Sequence, residues 1–393
     1  MNFFPFLNFI TKVRPFWLAF GIVTIPFFMC RHANLAISEY GIQMSILILL
    51  GVVEIFKQIQ NKVIIRPALI CILSLIGVLF LHLVALGNSS NFGFVISYGI
   101  YFFVCLISIY LHINENEIIY LAYCYVISST IIAVLMFFSP YVIFGRITYK
   151  FSNNPAFEPN FLGFYFSVAV IIALYKLIYF KGNKYNNYLI IGMIILNVVA
   201  SMATGSRNAV LGEIIAISYF CFFINKANVK GIVLIALLIF IASISLVNFI
   251  PDEVFYRLFH SDVLDESNTD RINRWRCALQ TIQLRPVLGY GVITSLEAIS
   301  SATGVFHIAA HNSFLSLWIN FGIFGVLGVL GCYYDIVKNS LKNGQYFCIF
   351  AVTSLIFMEM VVEFDITYSF WYGIIFFLKG AFISKRDCTQ SVF

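Results

Sequence analysis

PDEVFYRLFHSDVLDESNTDRINRWRCALQTIQLRPVLGYGVITSLEAISSATGVFHIAAHN, residues 251–312, is the one long polar passage in a chain otherwise made of apolar blocks. It holds Arg257, Arg271, Arg274, Arg276 and Arg285, the run Pro286-Val287-Leu288-Gly289-Tyr290-Gly291, and the two histidines His307 and His311. Apolar runs of roughly 20 residues flank it on both sides, which places it just outside a membrane. A cationic, histidine-bearing loop on an apolar scaffold points to a site for an anionic, lipid-linked substrate.

Composition sets the frame. The chain has 393 residues, 61% of them hydrophobic and 11% charged. Soluble domains carry about 25% charged residues, so this is an integral membrane protein. Its net charge of +6 does not argue for nucleic acid, because most basic residues flank apolar spans, where they orient the chain. Nine cysteines give an odd number, and most lie within apolar runs as small core residues rather than as a disulfide framework. A bridge between Cys30 and Cys277 has little support. Lys12 and Arg14 precede an apolar run without a small-residue cleavage site, so the first helix is expected to be retained.

Windows of apolar residues predict an all-α polytopic membrane protein with about twelve transmembrane helices, near 15–30, 41–56, 67–87, 92–111, 118–138, 160–180, 186–203, 208–224, 231–250, 312–334, 346–362 and 366–383. The chain reads as one membrane domain over 1–393, with 251–311 as its large outer loop. With the N-terminus inside, the inner segments collect Lys12, Arg14, Lys57, Lys62, Arg66, Lys176, Lys181, Lys184, Lys226, Lys230, Lys338, Lys342, Lys379, Lys385 and Arg386, as the positive-inside rule requires. The outer segments hold Arg31, Arg146, Arg207, Arg257, Arg271, Arg274, Arg276 and Arg285, with Lys150 the exception. The guanidinium fork suits phosphate recognition, so this outer set is the candidate functional population. Gly322, Gly325, Gly328 and Gly331 recur at every third position, a spacing that lets a neighbouring helix approach closely.

Three constellations stand out. Ser267-Asn268-Thr269-Asp270 reads as a helix start capped by Thr269 or Asp270, with the helix running to about Leu284 and stopping before Pro286. Arg271, Trp275, Ala278 and Ile282 then share one stripe. Three arginines in the first turns would oppose the helix dipole unless an anion sits beside them, which suggests a diphosphate site made by Arg271, Arg274, Arg276 and the helix N-terminus. The alternative is surface pairing with Asp262, Asp265, Glu266 and Asp270. Second, Gly205-Ser206-Arg207-Asn208 forms a tight outer turn that places Arg207 at the membrane boundary, where a cation faces a cavity or snorkels; Glu213 is a possible counter-ion. Third, His311-Asn312 lies where the loop meets the next span. A histidine near its usual pKa of about 6.5 can accept a hydroxyl proton, while the bland reading is a helix cap by Asn312 with a bystander imidazole. His307 and His311 lack a third ligand, so no metal is expected. Arg146, Lys150 and Glu158 are further outer candidates for sugar contacts, with surface solvation the equal alternative. Glu359, Glu363 and Asp365 are either counter-charges to the outer arginines or merely interfacial. No nucleotide-binding motif is present.

Together, Arg271-x-x-x-Trp275, Pro286-x-x-Gly289-x-Gly291, and His311-Asn312-x-x-Leu315 followed by Gly322 and Gly325 resemble the bacterial O-antigen ligase/polymerase superfamily. Ser206-Arg207, Asn153-Asn154-Pro155 and Glu158-Pro159-Asn160-Phe161-Leu162-Gly163 resemble two more of its patterns. The resemblance implies a GT-C-like glycosyltransferase whose large loop is periplasmic, in the bacterial inner membrane, acting on an undecaprenyl-diphosphate-linked oligosaccharide. It implies catalytic roles for His311, Arg271 and Arg207, with Arg207 and Arg271 gripping the diphosphate and His311 activating the acceptor hydroxyl for inverting attack. Arg274, Arg276, Arg146, Asn312 and Trp275 would bind substrate, with no metal and no other cofactor. Membrane lipid and a chain-length regulator protein are the further expected partners. The Pro159-Asn160-Phe161-Leu162-Gly163 run is more similar to polymerases, which extend another lipid-linked repeat unit, than to ligases, which transfer to lipid A-core. A transporter or flippase of the same lipid-linked glycan is the alternative of another class.

Overall fold

A computed structural model describes residues 12–21, 37–58, 66–84, 92–111, 113–143, 146–150, 157–180, 182–220, 261–363 and 367–383. After a helical stretch at 15–21 come α1 (Ile37–Gln58), α2 (Pro67–Val84), α3 (Phe92–Tyr110) and α4 (Glu115–Phe138). A short antiparallel hairpin, β1 (Tyr141–Ile143) and β2 (Arg146–Thr148), leads to α5 (Pro159–Tyr179), α6 (Lys184–Ala203) and α7 (Arg207–Tyr219). The polar passage forms α8 (Ser261–Leu284) and α9 (Ser295–Thr303). The chain then forms α10 (Ser313–Phe321), α11 (Ile323–Asn343), α12 (Phe347–Glu359) and α13 (Tyr368–Gly380). Among the described residues α2, α4, α5 and α6 are long and apolar enough to cross a membrane, and several shorter helices are apolar too. The chain is an all-α, multi-pass membrane protein. The expected ninth span, 231–250, lies outside the described residues, as do Arg257, Cys30, Asp365 and Asn153-Asn154-Pro155.

α5 is the central post. Its sequence is apolar on every side, the pattern of a helix surrounded by others, and 83% of it is buried against 39% of α2. It packs on α4, α6 and α7. The inner end is closed by polar contacts among residues the positive-inside rule assigns there. Arg14 clasps Glu117 with two side-chain bonds of 2.7 and 3.0 Å. Lys379 donates to the Leu111 carbonyl, and Tyr179 Oη accepts from the Phe347 amide at 3.0 Å. α5 runs from this end to Arg146 and the α6–α7 turn at the other, so inner lysines and outer arginines occupy opposite ends.

The predicted span 312–334 is two helices, not one. It breaks at Gly322, whose φ is +63° and ψ −157°. The Pro286–Gly291 turn docks into this break. The amides of Tyr290 and Gly291 donate to the last carbonyls of α10, at Ile319 (2.7 Å) and Asn320 (3.0 Å), while Pro286 O accepts from Ile323 N at the start of α11 (3.0 Å). Helix ends strand backbone groups, and the turn satisfies them on both sides of the break. The Trp318 indole N–H and the His82 imidazole pin the same turn, donating to Pro286 O (2.9 Å) and Leu288 O (2.7 Å). A Cβ on Gly322 would collide with the Val287 carbonyl, and one on Gly289 would stand 2.6 Å from Asn320 O. Gly328 and Gly331 instead receive Leu75 and Cys71 of α2, so that half of the glycine ladder serves helix packing.

The loop helix starts earlier than the sequence suggests. α8 begins at Ser261, not at Thr269 or Asp270, which puts Asp262, Asp265 and Glu266 in its first turns, where carboxylates suit the positive end of the dipole. Asp270 instead pairs with Arg274 one turn on, at 2.7 Å. Arg271, Arg274 and Arg276 therefore stand in mid-helix, away from the N-terminus of their own helix. Ala278 and Ile282 of the predicted stripe are buried against Ala298, Ile299, Ala310 and Ile319, a small core of the loop's own.

Gly322→Ala combines a left-handed backbone with a backbone collision. It is expected to destabilise the protein by about 2 kcal/mol or more; thermal melting of the detergent-solubilised protein checks this.

Candidate active site

The segment that carries His311 is held in an uncommon conformation. His311 has φ +46° and His307 φ +64°, the only positive-φ residues other than glycine among those described. For a residue with a Cβ this region is costly and persists only where the surroundings over-determine it. Here Glu363 supplies the constraint. Its carboxylate accepts from Ser295 Oγ of α9 (2.7 Å), from Ser316 Oγ of α10 (2.7 Å) and from the backbone N–H of His311. Ser295 Oγ also accepts from the Ala310 amide at 3.1 Å. Burial pushes the Glu363 carboxyl above the usual range, against the three donors that favour its charge.

Asn312 continues the arrangement. Its Oδ1 caps α10 by accepting from the amides of Phe314 (2.9 Å) and Leu315 (3.1 Å), and its Nδ2 donates to Met360 O at 2.9 Å. Ser313 Oγ donates to Val362 O at 3.0 Å. The stretch after α12 thus grips the His311 segment at several adjacent points. Glu363 was expected to be a counter-charge to arginine; its described partners are hydroxyls and a peptide. Glu359 likewise accepts from the Tyr333 hydroxyl, at 2.5 and 2.7 Å.

α8 brings cations to His311. The imidazole pKa falls to about 4, through burial first, then the positive charge of Arg274 and, less, of Arg271, with Asp270 opposing. The ring is therefore neutral at pH 7 and a weaker base than the usual histidine assumed from sequence. Arg271 and Trp275 are half-buried, Arg276 is exposed, and the Trp275 indole N–H is buried without a hydrogen-bond partner among the described residues.

Arg207 reaches the same end by a different route. It is the first residue of α7, whose far end stacks Tyr219 on Phe350 (4.2 Å) and beside Phe347 (5.6 Å) at the start of α12. The two helices are thus antiparallel, and Gly212 faces Met358 near the end of α12. The start of α7 therefore stands level with the stretch after α12 that holds His311. Ser206, the N-cap, makes no capping bond, and its Oγ is buried without a partner among the described residues. Glu213, a possible counter-ion to Arg207, accepts from Ser167 Oγ at 2.8 Å, inside the α5–α7 contact.

Arg146 is almost fully buried, at 6% exposure. It donates from Nε to Thr204 O (2.7 Å) and from Nη2 to Asn160 Oδ1 (2.8 Å). Lys150 lies over the Tyr141 ring at 5.3 Å, and Cys277 carries a free thiol. Sequence reasoning singled out His311, Arg271 and Arg207 but gave no role to Ser295 or Ser316 and left Glu363 as a counter-charge or an interfacial residue. A lone serine has no spacing signature, and Glu363 lies 52 positions from its histidine in a different outer segment.

The fold and this end of the molecule define a multi-pass membrane protein with a cationic site around a half-buried, neutral histidine. Residues 192–330 match the family model described as O-antigen ligase. The chain is 22% identical, over 97% of its own length and 73% of the relative's, to the ComP-specific O-oligosaccharyltransferase of Acinetobacter baylyi. A chain from the solved structure "Structural coordination of polymerization and crosslinking by a peptidoglycan synthase complex" aligns with 81% of this chain and 98% of its own, at 14% identity and a TM-score of 0.40. Residues 192–330 thus resemble the O-antigen ligase family, and the two likenesses together indicate a glycosyltransferase-type enzyme.

Glu363→Ala removes all three acceptor contacts at once, whereas Glu363→Gln keeps one acceptor oxygen. A misplacement of about 1 Å costs on the order of 10²-fold in rate, so the alanine variant should lose that much glycan transfer, with the glutamine variant between it and wild type. A wild-type rate from Glu363→Ala in purified protein would remove its positioning role.

Proposed function

We propose that this enzyme transfers a glycan from undecaprenyl diphosphate to a hydroxyl acceptor, with inversion and without a metal, at the periplasmic face of the inner membrane. The observation that carries the reading is the neutral His311, held beside Arg271 and Arg274 and at the same end as Arg207. Arg271 and Arg207 take the diphosphate, Arg207 with the first turn of α7 behind it, where an anion is favoured. Arg274 adds charge nearby, Arg276 reaches from the exposed side, and the partnerless Trp275 N–H is a donor for a sugar oxygen. The acceptor oxygen attacks the anomeric carbon, the bond to the diphosphate oxygen breaks, and the hydroxyl proton passes to His311. Fixed cations in a dry site stabilise the charge that grows on the leaving group.

The low pKa of His311 has a use in this scheme. Burial is the larger cause of the depression and remains when substrate binds, but the cations that add to it are those an incoming diphosphate neutralises, so substrate binding returns part of the imidazole's basicity when a base is needed. A histidine acting as base is competent above its pKa and fails below it. Expected, then, is an acid limb near pH 4 in kcat/KM, which reports the free enzyme, and a limb shifted to higher pH in kcat by the share of the depression that the cations cause. Coincident limbs in the two profiles would contradict the substrate-linked shift.

Polymerisation onto another lipid-linked repeat unit, with a chain-length regulator as partner, is the acceptor reading we favour. Transfer to lipid A-core is the second, supported by the family model described as O-antigen ligase. The banding of surface polysaccharide in a deletion strain separates them. A single repeat unit on the core is expected for a lost polymerase; bare core with accumulated lipid-linked polymer would mean a lost ligase.

A further inference from the structure

Arg146 stands in a tight, fully occupied niche that the reaction scheme does not use. β2 places it one strand-end away from α5 and from the turn that joins α6 to α7. Its guanidinium meets three partners from two elements: Thr204 O at the end of α6, Asn160 Oδ1 in the first turn of α5, and Glu158 Oε1, the N-cap of α5, at 3.8 Å. Glu158 and Asn160 are themselves fixed, since Glu158 accepts from Phe161 N (2.9 Å) and Asn160 Nδ2 (2.8 Å). A buried guanidinium is costly unless its donors are met, and Thr204 O and Asn160 Oδ1 meet two of them here.

The carbonyl that Arg146 holds belongs to the residue just before Gly205-Ser206-Arg207. Gly205 has φ +64°, the conformation in which glycine is most permissive, so the turn would be loose if only its own backbone defined it. Two contacts take up that slack. Arg146 clasps Thr204 on one side, and α5 offers Gly163 on the other, where a Cβ would stand 2.7 Å from Thr204 Oγ1 and 2.8 Å from Ser206 Cβ.

We propose that Arg146 is a positioning residue that acts through Arg207: by fixing Thr204 O it sets the depth at which Arg207 meets the diphosphate. Arg146 thus serves the substrate without touching it. This also gives a physical reason for the Glu158-Pro159-Asn160-Phe161-Leu162-Gly163 run, which builds the socket for the guanidinium and the bare surface for the turn. The proposal rests on the diphosphate role assigned to Arg207 above.

The test is a double-mutant cycle on the full-length protein in nanodiscs, reading the Kd for undecaprenyl diphosphate, with a thermal melt for each variant. Arg146→Lys keeps the charge but loses the fork, and should weaken binding about tenfold. In the Arg207→Ala background the same substitution should change Kd by less than about twofold. Asn160→Ala, which leaves Arg146 in place and removes one of its partners, should weaken binding in the same direction and by less; it carries the test if Arg146→Lys does not fold. Independent, multiplicative losses from Arg146→Lys and Arg207→Ala would show a direct ligand contact and overturn the clasp alone, as would wild-type binding by Arg146→Lys or, where that variant does not fold, by Asn160→Ala. Wild-type binding by Arg207→Ala itself would overturn the parent reading, and the clasp with it.

Discussion

The carboxylate of Glu363 joins three stretches of chain at one point: α9 through Ser295, α10 through Ser316, and the His311 backbone between them. A histidine with φ +46° would relax to an ordinary conformation if released. The three donors over-determine it instead, and Asn312 and Ser313 extend the grip to the carbonyls of Met360 and Val362. The outer loop is thereby bolted to the stretch that follows α12, and α12 lies antiparallel to the helix that begins with Arg207. The Glu363 carboxylate thus ties the loop's histidine to the stretch that stands level with the start of α7, where Arg207 lies.

A second joint gives the loop its other anchor. The Pro286–Gly291 turn fills the helix break at Gly322, exchanging backbone hydrogen bonds with both helices it separates. Each glycine there answers a steric demand: Gly289 lets the turn approach α10, and Gly322 lets α10 stop and α11 start in a new direction. Between these two joints α8 is held so that Arg271 and Arg274 face His311. The electrostatic result, a neutral imidazole among cations, follows from that placement and from burial.

Much of the scaffold was legible in the sequence. Apolar blocks of membrane length and the sorting of lysines from arginines fixed the class of fold and the two ends, because desolvating charge is too costly for the pattern to be otherwise. Several details were not legible. The start of α8 was misread, since Thr269-Asp270 has good capping chemistry while the acids that begin the real helix look equally like a solvated loop. The break at Gly322 was hidden in an apolar run with small residues at regular spacing, a pattern a continuous helix shares; only the docked turn distinguishes it. His311 was found by its neighbours in sequence, but its depressed pKa depends on Arg274 and Arg271, about forty positions away, and Glu363 is more distant still. Local chemistry shows in a single sequence; cooperation between distant segments does not.

The account assigns His311 to chemistry and the arginines to the anion, so the two should come apart experimentally. The direct measurement pairs the Kd for undecaprenyl diphosphate with the rate of glycan transfer in purified His311→Ala protein. Binding within about twofold of wild type, with transfer reduced by on the order of 10²- to 10⁴-fold, is the predicted result for loss of a general base. Transfer at the wild-type rate, or transfer and binding lost in proportion, would contradict it.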